Sequence, residues 1–119
     1  MAWQVKYFKR EDGTVPAHAF QEGLPKKLRA KLLKFTKEAA DSEGKLGGGY
    51  YEVCHSRPGI SETRAKLGKD LARFLCGRDG DRLVILTGVL KGIDEPTPDA
   101  SFDGAEAFLA EYNKTKSVA

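Results

Sequence analysis

The sequence predicts an α+β fold, formed as one domain that spans residues 1–119. Two observations carry this prediction. The stretch Ser61–Gly92 alternates like three successive antiparallel strands, and helical periodicities lie before it and after it. Strands and helices that are segregated along a chain are typical of α+β domains. A chain of 119 residues, 40% of them apolar and 31% charged, has the length and composition of one globular domain.

The N-terminal part predicts one strand followed by two helices. Aromatic and β-branched residues alternate with polar ones in Trp3–Lys9, which predicts a strand. Thr14 is placed to cap a short helix whose first turn contains Pro16. Pro25 opens a longer helix, Lys26–Ser42, with an apolar stripe at helical spacing formed by Leu28, Leu32, Phe35 and Ala39. We expect an αα hairpin whose apolar stripe covers a sheet.

The middle of the chain predicts a loop and then the rest of the sheet. Glycines make Glu43–Gly49 a mobile loop, and Tyr50–His55 is expected to be a short edge strand. Three strands follow, with bends at Gly68–Lys69 and Asp79–Gly80. The last of them, Arg82–Lys91, is almost continuously apolar, as expected of a strand inside the sheet.

The chain ends with a loop and a helix. Two prolines mark Ile93–Ser101 as a loop, and Ser101 or Asp103 is placed to cap a final helix, Asp103–Lys114. No apolar run approaches the roughly 20 residues of a membrane helix. The N-terminus has no apolar core of a secretory signal, and neither cysteine has a partner at zinc-finger spacing. We therefore expect a cytoplasmic protein with reduced thiols and no membrane contact.

Charged residues share one phase of the predicted strands. Glu62, Arg64 and Lys66 lie at i, i+2 and i+4, so they point to one side of a strand. Arg73 lies on the next strand, where an arginine in the middle of a sheet needs a partner or a wet surface. The pattern predicts an apolar face towards the helices and a basic face towards solvent. Arg64 has an alternative use, since it can pair with Glu62 or Asp70.

Basic charge is also concentrated outside the strands. The net charge is +3, and Leu24–Lys37 contains basic residues and no acidic one. The basic residues of that segment are Lys26, Lys27, Arg29, Lys31, Lys34 and Lys37. The segment from 93 to 119 is acidic instead. A basic body suggests a polyanionic partner such as RNA, DNA or an acidic protein segment, and a solvated helix face is the other interpretation of the α-helical lysines.

Several short motifs occur in a recognisable order. They are Val15-Pro16 with Phe20, Leu24-Pro25-Lys26-Lys27-Leu28, Glu62-x-Arg64, Arg73-Phe74-Leu75, and Leu83-Val84-Ile85-Leu86-Thr87-Gly88-x-x-Lys91. In this order and spacing the sequence resembles the RelE/ParE superfamily of toxins from type II toxin–antitoxin systems, and most closely its HigB-like, phage-derived branch. The resemblance covers roughly residues 3 to 112.

The resemblance implies a RelE-like fold, an activity and a set of partners. RelE- and HigB-type members are endoribonucleases that cleave mRNA on the ribosome without a metal or another cofactor and so inhibit translation. The partners implied are the ribosome with its mRNA and a cognate antitoxin, expected to be a helix-turn-helix protein that forms a hetero-oligomer with the toxin.

The resemblance also assigns site residues. Arg64 matches the arginine of the family's Glu-Leu-Arg strand, with Thr63 in place of leucine, and Arg73 matches the arginine of its Tyr-Arg strand. Lys91 falls near the basic residue that ends the last strand. His55 follows its strand as a histidine does in some relatives. These four residues are the catalytic candidates that the resemblance implies.

The chemistry of RNA cleavage fits these residue types. Attack of a 2′-hydroxyl on the neighbouring phosphate develops negative charge, which the guanidinium forks of Arg64 and Arg73 can stabilise. Histidine is the residue type best suited to proton transfer at neutral pH, which makes His55 the general acid or base candidate. The RNA-binding candidates are Lys66, Lys69, Arg57 and Tyr51, the tyrosine by stacking on a base.

Two alternatives stay open. ParE-type members inhibit DNA gyrase by binding and are not enzymes. A degenerate member that binds an antitoxin or nucleic acid without toxicity is the other. Two departures from the family favour it: Thr87 stands where many HigB-like members have a histidine, and the segment after the last strand is acidic.

Overall fold

The computed structural model describes residues 2–119, and it is an α+β structure of three helices on a five-stranded mixed sheet. In chain order the elements are β1 (Gln4–Tyr7), α1 (Pro16–Glu22), α2 (Lys26–Asp41), β2 (Tyr51–Val53), β3 (Ser61–Leu67), β4 (Asp70–Asp79), β5 (Arg82–Gly92) and α3 (Asp99–Thr115). The strand order is β1-β5-β4-β3-β2, with β1 parallel to β5 and the other pairs antiparallel. The predicted class, the three strands of the central stretch and the interior place of the last strand are confirmed.

Helices α1 and α2 cover one face of the sheet. Leu28 and Leu32 of α2 are fully buried against it, and burying a leucine contributes about 2 kcal/mol. Helix α1 packs on β5, where a Cβ at Gly88 would lie 2.2 Å from the Phe20 ring. Helix α2 instead packs mainly on β3. These contacts describe how each helix packs on the sheet. Packing of α1 against α2 as an αα hairpin stays a prediction.

Helix α3 covers part of the opposite face, which the sequence predicted to be open to solvent. Its Tyr112 is fully buried in a second apolar cluster with Phe8, Leu75 and Val84. The Tyr112 hydroxyl donates to Asp79 Oδ2 at 2.7 Å, which fixes the C-terminal end of the helix to the β4–β5 turn. The face is therefore divided into a part under α3 and a part that carries the predicted basic residues.

Two helices begin differently from the prediction. Thr14 does not cap α1, because its Oγ1 donates to Asp12 Oδ1 at 2.6 Å and no side chain caps this helix. Helix α3 begins at Asp99, directly after Pro98, and not at residue 103. Proline fixes its own φ and Asp99 favours the positive end of the helix dipole, so the helix starts one turn early. The predicted caps, Ser101 and Asp103, lie inside it.

Both cysteines are free thiols in different surroundings. Cys54 is half-buried, and its Sγ lies 3.5 Å from Ser56 Oγ, whereas Cys76 is fully buried. Burial raises the pKa of the Cys76 thiol to about 12. No helix within residues 2–119 is long and apolar enough to cross a bilayer.

We expect only Cys54 to react with a thiol reagent in the native protein, and both thiols to react in urea. The folded pKa of Cys76 lies above its ordinary value of 9.0. The neutral buried thiol therefore makes its full contribution to the free energy of unfolding below that pH. The free energy of unfolding should fall as the pH rises from there towards 12, and it should fall less in Cys76→Ala. Fast labelling of both thiols in the native protein would contradict the burial of Cys76.

Candidate functional site

The strand register brings the predicted basic residues together on the sheet face away from α1 and α2. Arg64 of β3 lies directly opposite Arg73 of β4. Lys66 lies opposite Leu71, which is in turn opposite Lys91 of β5. We call the surface formed by Arg64, Lys66, Arg73 and Lys91 the basic face. Residues that are far apart in sequence thus place four positive charges on three adjacent strands.

Arg64 is the arginine of the basic face that solvent reaches. Its side chain is 25% exposed, and Nη2 lies 3.2 Å from both Glu52 Oε2 and Glu62 Oε2. The pair with Glu62 is one of the two that the sequence allowed. Two carboxylates therefore orient the guanidinium, while the exposed part of its fork stays available to a ligand.

Arg73 is buried instead, under the segment that follows β5. We call Ile93–Pro98 the covering segment. Arg73 is 5% exposed, and its Nη2 donates to the Glu95 carbonyl oxygen at 2.6 Å. Its Nε lies 3.8 Å from Glu62 Oε1, which also accepts a hydrogen bond of 2.9 Å from Thr97 Oγ1. The arginine thus has a partner and is closed off from solvent.

Burial acts on the Arg73 guanidinium more strongly than the charges around it. It lowers the pKa of Arg73, against the opposing effect of Glu62, and Arg64 lowers that pKa further. The Nε and Nη1 atoms of Arg73 are buried without a hydrogen-bond partner within residues 2–119. Such donors are costly to leave unpaired in a protein interior. Arg73 therefore has hydrogen-bonding capacity that its protein partners do not use.

The lysines of this region differ in exposure. Lys66 and Lys69 are exposed, whereas Lys91 is half-buried. Lys69 lies in the β3–β4 turn, where its carbonyl oxygen accepts a hydrogen bond from Ile93 N at 2.9 Å. With the covering segment it lines a shallow pocket of about 520 Å³. Lys66 and Lys91 are placed for phosphate contacts, whereas the carboxylates of Asp70, Asp94 and Glu95 in this pocket disfavour a phosphate beside Lys69.

Arg57 is directed to α3 and not to the basic face. Its Nη1 lies 2.6 Å from Asp103 Oδ1 and 2.5 Å from Glu106 Oε1, and Nη2 lies 3.5 Å from Asp99 Oδ1. The guanidinium also lies over the Phe102 ring. Hydrogen bonds to Asp103 and Glu106 raise the pKa of Arg57. This arginine neutralises the acidic start of α3, and its three carboxylate partners leave few of its N–H groups free to contact RNA.

Tyr51 and His55 also lie away from the four basic residues. Tyr51 is opposite Thr63, and its ring packs edge-on against Trp3 with centroids 5.9 Å apart, on the side of the sheet that faces α2. His55 lies exposed in the turn between β2 and β3. No hydrogen bond or ion pair joins its imidazole to another of residues 2–119.

The covering segment is a part of this site that the sequence did not predict. Glu95 and Thr97 approach Arg73 and Glu62 from more than 20 positions away along the chain. The acidic composition of the segment was the signal that sequence offered, but the contact to Arg73 is made by a backbone carbonyl, which composition does not reveal.

No family model matches the chain, and no curated protein compared with it matches. No group of three or more His, Cys, Asp or Glu side chains within residues 2–119 is placed to hold a metal ion. The resemblance to RelE- and HigB-type toxins accordingly rests on the motifs and their order.

Proposed function

We propose that this chain is the toxin of a type II toxin–antitoxin pair and acts as a metal-independent, ribosome-associated mRNA endoribonuclease. The observation that carries the proposal is the register that places Arg64 opposite Arg73, with Lys66 and Lys91 beside them on one sheet face. The motif resemblance supplies the reaction class. An antitoxin of the helix-turn-helix type and the cytoplasmic ribosome are the partners of the proposal.

The proposed reaction is a transesterification within the RNA strand. The 2′-oxygen forms a bond to the adjacent phosphorus and the bond from phosphorus to the 5′-oxygen breaks, which leaves a cyclic 2′,3′-phosphate and a 5′-hydroxyl. Arg64 donates to the non-bridging oxygens, and one such donor supplies about 3 kcal/mol. Lys66 and Lys91 bind flanking phosphates. Because His55 lies in the turn between β2 and β3, away from the basic face, the proposal does not use it for proton transfer.

Because Arg73 is buried, the proposal gives Arg64 and Arg73 different roles. A phosphate oxygen reaches its guanidinium only if the covering segment moves, since the side chain is 5% exposed and the Glu95 carbonyl oxygen lies 2.6 Å from Nη2. The proposal therefore gives Arg64 the direct contact. Arg73 is a positioning residue, which holds Glu62 in place so that Glu62 in turn orients Arg64.

The test is to induce the protein in cells without its antitoxin and to map the 5′ ends of transcripts. We expect growth arrest, with new 5′ ends inside translated mRNA. Intact transcripts with a DNA-damage response would instead establish the gyrase-inhibitor alternative.

A module of the same fold without cleavage activity is the second candidate. The cover over Arg73 and the absence of a histidine at Thr87 favour it. Normal growth after induction, with the protein present at full level and folded, is the result that this candidate predicts and that contradicts the nuclease.

A further inference from the structure

Helix α2 carries an exposed stripe of lysines that the proposed site does not use. Lys27, Lys31 and Lys34 lie at i, i+4 and i+7 and are all exposed, so they form one row along about 10 Å of the helix. Arg29 pairs with Glu22 and Lys37 with Asp41, and no ion pair within residues 2–119 uses a lysine of this row. The stripe therefore presents three positive charges to solvent.

The lysine stripe meets the basic face at the edge of β3. Lys31 Nζ donates to the Lys66 carbonyl oxygen at 3.1 Å, and the side chain of Lys66 belongs to the basic face. Strand β2 pairs with Ser61–Thr63 only, and Arg64 N donates to Tyr50 O at 2.9 Å. Beyond Arg64 this edge carries no further strand in the described chain. A ligand can therefore pass over the edge from the sheet to the helix.

A pocket of about 220 Å³ lies at this edge, which we call the edge pocket. It is lined by Arg64, Lys66 and Leu71 from the sheet and by Gly48–Tyr50 from the preceding loop. Gly48 and Gly49 both have φ of +78°, a conformation that favours glycine, so no side chain of theirs narrows the entrance. The Tyr50 ring stacks on Phe35 of α2 with centroids 4.1 Å apart. The edge pocket thus combines two cationic side chains with an aromatic pair that reaches to the helix.

We propose that the lysine stripe and the edge pocket form a second binding surface for an RNA backbone, continuous with the basic face. Phosphates lie along the row of lysines, and the edge pocket with its stacked aromatic pair takes a base between that row and Arg64. The aromatic pair favours nucleic acid over an acidic peptide, because bases stack on such rings. The inference rests on the proposed function in taking RNA as the ligand.

The backbone that binds the lysine stripe has two possible sources. We assign it to the strand that crosses the basic face, because the lysine stripe meets that face at the edge of β3. A neighbouring structured RNA is the alternative outcome of the test. Both sources offer the same phosphate chemistry, so oligonucleotides of different length and structure distinguish them.

The experiment measures fluorescence anisotropy of three 2′-O-methyl RNAs with the purified full chain: a single strand of 6 nucleotides, a single strand of 18 nucleotides, and a hairpin. The variant Lys27→Gln/Lys34→Gln keeps the bond from Lys31 to Lys66. Its control, Lys9→Gln/Lys114→Gln, removes the same charge beside and within α3. Because two phosphate contacts are lost, we expect about tenfold weaker binding of the 18-nucleotide strand and a salt slope reduced by about 1.4 in the first variant only.

The outcomes separate the sources and the two proposals. Weaker binding of the 18-nucleotide strand in the Lys27→Gln/Lys34→Gln variant supports the inference, and weaker binding of the hairpin alone overturns it in favour of a structured neighbour. Equal loss in both variants, or no loss in either, also overturns the inference. RNA binding through α2 without transcript cleavage means that the nuclease proposal alone has failed. Cleavage with unchanged binding in the Lys27→Gln/Lys34→Gln variant means that this inference alone has failed.

Discussion

Replacing Arg64 by alanine is expected to lower the rate of RNA cleavage about 100-fold, since it removes one preorganised donor to the phosphate. The fold should persist, because Arg64 is partly exposed and Glu62 keeps its bond from Thr97 and the nearby charge of Arg73. We expect a loss of about 1 kcal/mol in the free energy of unfolding. Single-turnover cleavage of a short RNA on ribosomes, with urea unfolding of the same preparations, measures both quantities.

The matched control for this experiment is Arg10→Ala. Arg10 also forms an ion pair at 3.2 Å, with Glu111 of α3, and it lies over the Phe108 ring. It is outside the basic face, so its removal should leave cleavage unchanged. Arg64→Lys should recover part of the rate, because it restores the charge without the planar fork. If Arg64→Ala cleaves at the rate of Arg10→Ala, Arg64 does not contact the reacting phosphate.

The placement of Arg64, Lys66 and Arg73 on one side of the sheet is the part of the site that the sequence predicted, because of its periodicity, whereas the predicted exposure of that face to solvent is wrong for Arg73. A strand places residues i, i+2 and i+4 on one side, so the sequence spacing alone predicts that Arg64 and Lys66 point to the same side. The tight turns on both sides of β4 then fixed which strands are adjacent. Pairing across these turns brings Arg73 beside Arg64, because short hairpin connections leave little freedom of register.

Periodicity and hairpin register could not predict that the covering segment buries Arg73. Its contacts join residues on β3 and β4 to a loop that follows β5, and one of them uses the Glu95 backbone carbonyl. A carbonyl oxygen is present at every position, so no residue type indicates it. The positions of Arg57 and Tyr51, away from the basic face, could not be predicted for a related reason. The fold decides whether an edge residue meets the basic face, the acidic start of α3 or the Trp3 ring.

Glu62 connects the parts of the site that the sequence treated separately. It is 7% exposed, and its two carboxylate oxygens serve different partners, with Oε2 near Arg64 and Oε1 near Thr97 and Arg73. A buried carboxylate needs such partners to stay charged. A change in any one of them therefore alters the environment of the others, and effects on activity must be separated from effects on stability.

Arg73→Met is expected to lower the free energy of unfolding by about 3 kcal/mol, because the long apolar side chain fills the space but leaves Glu62 short of a positive partner. Urea unfolding measures this loss. The companion change Glu62→Gln keeps an acceptor for Thr97 and removes the negative charge. In the double variant both charges are gone, so its loss in the free energy of unfolding should be smaller than the sum of the two single losses by about 1–2 kcal/mol. Strict additivity would mean that the two side chains do not act as a pair.

The Arg73→Met variant also shows how Arg73 contributes to the proposed reaction, when cleavage is measured at a temperature where the protein is fully folded. A positioning role predicts a modest loss of rate, and restoring stability elsewhere should not change it. A loss as large as that of Arg64→Ala would show that RNA contacts Arg73 directly. In that case the covering segment must move, since the Glu95 carbonyl and a phosphate oxygen cannot both occupy the 2.6 Å position at Nη2.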